Sequence, residues 1–131
     1  MIGLDTNVLV RYIADDDPSQ SKLAVKFIEQ QCTATNPGFV SVVTLIELVW
    51  VFESCYDATK TDIITMIGRL LSSKQLLVQD AETAWKALRL FEAGKADFAD
   101  YLVERIVDAH GCDTTVTFDK TAAKAGMTLL K

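Results

Sequence analysis

Apolar and polar positions alternate in short blocks along the chain, and Gly, Pro or Asp separates one block from the next. Met1 to Leu4 is an apolar run that leads into Asp5 and is followed by Val8, Leu9 and Val10, a pattern that predicts a buried strand ending in a polar turn. Asp17 before Pro18 pairs an N-cap with a first helical residue, opening a helix whose apolar stripe is Leu23, Ala24, Phe27 and Ile28. After Pro37 and Gly38, Phe39 to Val43 predicts a second strand, and Thr44 to Phe52 predicts a helix that is apolar almost all the way round. Asp57 or Thr59 can cap a further helix with Ile63, Ile64, Ile67, Leu70 and Leu71 on one face. Leu76 to Val78 predicts a third strand. Asp80 caps a helix that carries Ala84, Trp85 and Leu88 and stops at Gly94, and another helix runs from about Ala96 to Gly111. Thr114 to Phe118 is a β-branched strand ending at Asp119, followed by a short helix to Gly126 and a last strand at Thr128 to Leu130.

Strands separated by helices predict an α/β fold with a parallel sheet and helices on both faces. No repeat, linker or low-complexity tract interrupts the 131 residues, so the expectation is one domain over 1–131. Half of the residues are apolar, yet no apolar run approaches the roughly 18–20 residues of a membrane span, and no leader pattern opens the chain. A soluble, cytoplasmic protein without membrane contact is expected. Cys32, Cys55 and Cys112 are odd in number and lack metal-knuckle spacing, which suits reduced thiols in or near the core. The net charge of −5 argues against nucleic acid when phosphate binding rests on Lys and Arg alone. The sign changes meaning if several acids hold divalent metal, because bound ions then become the dominant local positive charge.

Parallel sheets place their sites at the carboxyl ends of strands, where Asp5 and Asp119 fall; singly, each could equally be a cap. Glu47 is the only charge between Val40 and Phe52. A lone carboxylate on an apolar helix needs a partner or a shifted pKa, and no Lys or Arg lies one turn away; the plain alternative is an exposed stripe of Thr44 and Glu47. Asp97 and Asp100 share one face at i and i+3, where like charges repel unless a cation or a helix N-terminus absorbs the repulsion. They also suit an N-cap and a first-turn acid. Asp15, Asp16 and Asp17 read as solvated surface ending in a cap, and His110 beside Gly111 reads as a helix end. With a single His and no Ser-Gly elbow, a hydrolase triad has no support. Acids without basic neighbours, drawn from four segments, are how an open hard-cation site is assembled.

These segments resemble the PIN domain, and in particular the toxin nucleases of the VapC type. The matching pieces are Gly3-Leu4-Asp5-Thr6-Asn7-Val8-Leu9, Ser41 to Trp50 around Glu47, Ala96-Asp97-Phe98-Ala99-Asp100-Tyr101-Leu102-Val103, and Val116-Thr117-Phe118-Asp119. Four such pieces in order, spanning nearly the whole chain, are specific. One departure is that Tyr101-Leu102-Val103 follows Asp100 where smaller residues are common, which touches packing more than chemistry. The resemblance implies a three-layer α/β/α fold with a central, mostly parallel sheet. It implies catalytic and metal-binding acids at Asp5, Glu47, Asp100 and Asp119, with Asp97 as a further metal acid. Thr6, Asn7 and Thr117 are then residues that orient the acids or contact phosphate. The implied activity is endonucleolytic hydrolysis of RNA with Mg²⁺ or Mn²⁺, in the toxin of a type II toxin–antitoxin pair that is a homodimer and binds an antitoxin protein. The alternative within the family is an RNA-processing nuclease without an antitoxin.

Three other readings fit less well. A haloacid-dehalogenase-like phosphatase wants a second acid at the position of Asn7. A receiver domain wants its acceptor acid after an apolar third strand, whereas Asp57 follows Cys55 and Tyr56. A PIN fold that only binds a partner has no need of so many acids.

Overall fold

Three short strands organise the first half of the chain. The computed structural model describes residues 1–131, and its backbone contacts divide them into two units, Met1–Gln79 and Asp80–Lys131. The first unit runs β1 (Ile2–Gly3), α1 (Thr6–Ala14), α2 (Pro18–Gln31), β2 (Gly38–Val40), α3 (Val42–Cys55), α4 (Lys60–Ser72) and β3 (Leu76–Val78). The strands form one parallel sheet in the order β1-β2-β3, with Ile2 opposite Gly38 and Val40 opposite Val78. Gly38 is needed at the centre, because a Cβ there would lie 2.6 Å from Leu4 Cδ1. Leu9, Ile28, Cys32, Val40, Leu45, Leu48, Ile63 and Ile67 are fully buried and form the core of this unit.

Several elements depart from their sequence pattern for local reasons. Val8, Leu9 and Val10 belong to a helix, not to the turn after a strand, because Asp5 adopts an extended backbone and its carboxylate accepts from Thr6 N–H at 2.8 Å. That satisfies one of the amides a helix start leaves open. On α2, Asp17 caps as expected, accepting from Gln20 N–H at 3.0 Å. The buried face is Ser21, Ala24 and Ile28, while Leu23 and Phe27 are exposed. Small side chains at 21 and 24 suit the close packing of α1 on α2. The second strand stops at Val40, since Ser41 Oγ accepts from Thr44 N–H and starts α3 at Val42, two residues early. Thr59, not Asp57, caps α4, in a reciprocal pair with Asp62.

The second unit runs α5 (Ala81–Ala93), α6 (Phe98–Ala109), β4 (Val116–Thr117), α7 (Lys120–Ala123) and β5 (Thr128–Leu129). Helices α5 and α6 pack together, with the Phe91 and Phe98 rings edge to face at 5.9 Å. A side chain at Gly94 would fall on the Tyr101 hydroxyl, which accepts from the buried Ala96 N–H. Asp80 starts α5 but makes no side-chain cap, because its backbone is left-handed (φ 50°). Strands β4 and β5 are parallel, with Val116 opposite Thr128 and Thr117 opposite Leu129. All strand pairing is thus parallel, as helix-separated strands require. Only Cys32 of the three cysteines is buried, and burial pushes its thiol pKa up; Cys55, the last residue of α3, and Cys112 are exposed rather than in the core. No helix is long and apolar enough to cross a membrane.

Candidate active site

In the first unit the start of α1 and the middle of α3 meet through one hydrogen bond. Thr6 Oγ1 donates to Glu47 Oε1 at 2.8 Å. Asp5, Thr6, Asn7 and Glu47 line one depression of about 350 Å³, together with Val10, Arg11 and Val51. Glu47 is exposed and Thr44 buried, so the two do not form a shared exposed stripe, and the desolvation expected of Glu47 does not arise. A neutral hydroxyl, not a base, is its partner. Arg11 is a residue that the sequence pattern misses; once α1 is a helix, Asn7 and Arg11 stand one turn apart. Its guanidinium is held by Asp16 at 3.1 Å and by Gln20 at 2.9 Å. Asp16 is therefore tied rather than merely solvated. The Tyr56 hydroxyl donates to it at 2.6 Å and, with Arg11, holds its carboxyl below the usual range.

In the second unit three expected acids sit at helix starts. Asp97 is the N-cap of α6, and its N–H donates to Asp100 Oδ2 at 3.2 Å. Asp119 is the N-cap of α7; its Oδ1 accepts from Thr121 N–H at 2.8 Å, and its own N–H donates to Thr117 Oγ1 at 3.0 Å. Asp100 is half-buried, and desolvation pushes its pKa up. The Asp97 amide opposes that shift, while repulsion from the Asp97 and Asp119 carboxylates adds to it. His110 ends α6, its Nδ1 2.9 Å from the Ile106 carbonyl, and takes no part in either acid group.

No group of three or more His, Cys, Asp or Glu side chains is spaced to hold a metal ion. The donor chemistry nevertheless fits one, since every candidate is a hard carboxylate oxygen. The repulsion among Asp97, Asp100 and Asp119 is also of the kind a divalent cation relieves. A family model, that of the PIN domain, matches residues 2–126. The chain belongs to the PIN domain family. PIN domains are in general nucleases, hydrolases that act on nucleic acid and usually employ divalent metal. Membership removes the phosphatase and receiver readings. No curated protein matches this PIN domain.

Proposed function

We propose that this PIN domain is a metal-dependent endoribonuclease that hydrolyses RNA phosphodiester bonds, and that it is the toxin of a type II toxin–antitoxin pair. The observation that carries the catalytic part is the single depression that holds Asp5, Thr6, Asn7 and Glu47, reached by no unpaired base. Asp5, Glu47, Asp100 and Asp119, with Asp97 as a further acid, are the residues that would hold Mg²⁺ or Mn²⁺. Such an ion, when bound, supplies a water of lowered pKa and neutralises charge that develops on the phosphate.

The chain's own residues orient the acids. The Thr6 hydroxyl fixes one oxygen of Glu47 and leaves the other free. The Asp97 amide does the same for Asp100, and Thr117 fixes the backbone of Asp119. Asn7 presents an uncharged amide beside Asp5, suited to a phosphate oxygen.

Association with a second copy and with an antitoxin is supported by apolar surface that the first unit leaves exposed. That surface is not on α4, whose Ile63, Ile67 and Leu70 are buried. It lies at Leu23 and Phe27 on α2 and at Val43 and Trp50 on α3. The test of the whole reading is cleavage of single-stranded RNA by purified protein with Mn²⁺, lost in EDTA, together with co-expression beside its neighbouring reading frame. Cleavage without a co-purifying inhibitor would leave the RNA-processing reading in its place.

A further inference from the structure

Phe118 is the most exposed large apolar side chain in the molecule, at 83%. It makes no ring contact, and it stands between two fixed neighbours. On one side Thr117 is paired in β4 and accepts Leu130 N–H at its carbonyl, 2.8 Å away; on the other Asp119 caps α7. Phe118 itself lies in the bend between β4 and α7, with hydrogen-bonded residues on both sides. Val116 and Phe118 lie on either side of Thr117 in sequence, Val116 within β4 and Phe118 just beyond it. The β4–β5 register, carried one residue further, sets Leu130 opposite Phe118. Val116, Phe118 and Leu130 are all exposed, whereas Thr117 and Leu129 are half-buried.

Two cations border this strip. Lys120 follows Asp119, and Lys131 follows Leu130; both are exposed, and neither forms an ion pair. Asp119 stands between Phe118 and Lys120, and the two lysines, neither of them in an ion pair, are the cations next to the ring and to Leu130 along the chain. An aromatic face flanked by positive charge is the arrangement that binds unpaired nucleotides, the base stacking on the ring and the phosphates meeting the cations. Self-association through an apolar strip would give the two lysines no counterpart.

We propose that Phe118 is a base-stacking residue that holds an unpaired nucleobase of single-stranded RNA beside Asp119, with Lys120 and Lys131 taking the neighbouring phosphates. This rests on the nuclease reading above and narrows its substrate to unpaired RNA, because a base locked in a duplex cannot present its face to the ring.

The test is fluorescence anisotropy of a labelled single-stranded RNA oligonucleotide, and of the same sequence as a duplex, in EDTA. It compares wild type with Phe118→Ala, Phe118→Leu and Phe118→Trp. Phe118→Ala should weaken single-strand binding by about 5- to 150-fold, the range of one lost base stack, and leave duplex binding unmoved. Phe118→Leu should weaken it as well, since it keeps apolar area without a π-face, whereas Phe118→Trp should bind at least as well as wild type. Leu equal to wild type, or Ala without effect, would overturn the proposal. So would Ala altering only the association state in sedimentation, which marks a contact between protein copies. Failure here is distinct from failure of the nuclease reading. A wild type that binds RNA through Phe118 but cleaves none with Mn²⁺ refutes the latter alone, and one that cleaves RNA with Phe118→Ala binding normally refutes the former alone.

Discussion

Thr6 and Glu47 lie 41 positions apart in sequence and are joined by a 2.8 Å hydrogen bond from the hydroxyl to the carboxylate. The bond gives a surface acid a fixed orientation without neutralising its charge. Thr6→Val should therefore leave the melting temperature nearly unchanged, because the exposed Glu47 carboxylate stays hydrated, and should lower metal-dependent cleavage roughly 10- to 100-fold at limiting Mn²⁺. Thr6→Ser should restore most of it. Cleavage rates against Mn²⁺ concentration for the three proteins check this, and equal curves for Thr6→Val and wild type would remove Thr6 from the site.

Asp5 is both the cap of α1 and a candidate ligand, and two substitutions separate these roles. Asn caps a helix as well as Asp does, so Asp5→Asn should fold with wild-type stability in EDTA yet lose the melting shift that added Mg²⁺ gives. Asp5→Ala should lose both, the missing cap costing about 0.5–2 kcal/mol and a few degrees in melting temperature. Thermal melts at neutral pH with and without Mg²⁺ decide it; an undiminished Mg²⁺ shift in Asp5→Asn would make Asp5 a cap alone.

Asp100 has a folded pKa raised above its unfolded value, by desolvation first and by Asp97 and Asp119 second. Such a group contributes stability that is fully present below the unfolded carboxylate pKa and is lost as pH rises through the folded one. Metal-free protein should accordingly lose stability as pH rises out of the usual carboxylate range, and Asp100→Asn should flatten that loss. Melts in EDTA across this range check it. A wild type and variant with parallel pH curves would show that Asp100 carries no penalty.

Asp16 works in the opposite sense. Its pKa is lowered by the hydrogen bond from Tyr56 and by Arg11, so its contribution is present above the unfolded pKa and is lost as pH falls through the folded one. Tyr56→Phe should therefore be less stable than wild type at neutral pH, where the contribution is present, and should converge on wild type as pH falls below about pH 4, the usual carboxylate pKa. Melts that superimpose for the two proteins at neutral pH as well as in acid would remove Tyr56 as the support of Asp16.

Much of the fold is legible in the sequence where the pattern is unambiguous, as at Leu76–Val78 or on the α4 face of Ile63, Ile67 and Leu70. The first helix is not, because Val8, Leu9 and Val10 suit a buried strand context as well as a helix; only the bond from Thr6 N–H to Asp5 tips the balance. The buried face of α2 is hidden for a related reason. Leu23 and Phe27 are the more apolar residues, but Ser21 and Ala24 are small enough for close packing against α1, and size outweighs hydropathy there. The acids of the site stand out in sequence as charges without basic neighbours. Their partners do not, since the Thr6–Glu47 bond depends on how α1 and α3 pack, and Arg11 enters the depression only once α1 exists.

The central claim is that these acids carry out metal-dependent RNA hydrolysis, and it is tested most directly by single-turnover cleavage of a labelled single-stranded RNA. Wild type, Glu47→Gln and Asp119→Asn would be compared in Mn²⁺ and in EDTA. The account expects rapid cleavage by wild type in Mn²⁺, none in EDTA, and a loss of at least about 100-fold in each variant, the scale of removing one electrostatic contact to the transition state. Cleavage that persists in EDTA, or a rate untouched by both substitutions, would contradict it.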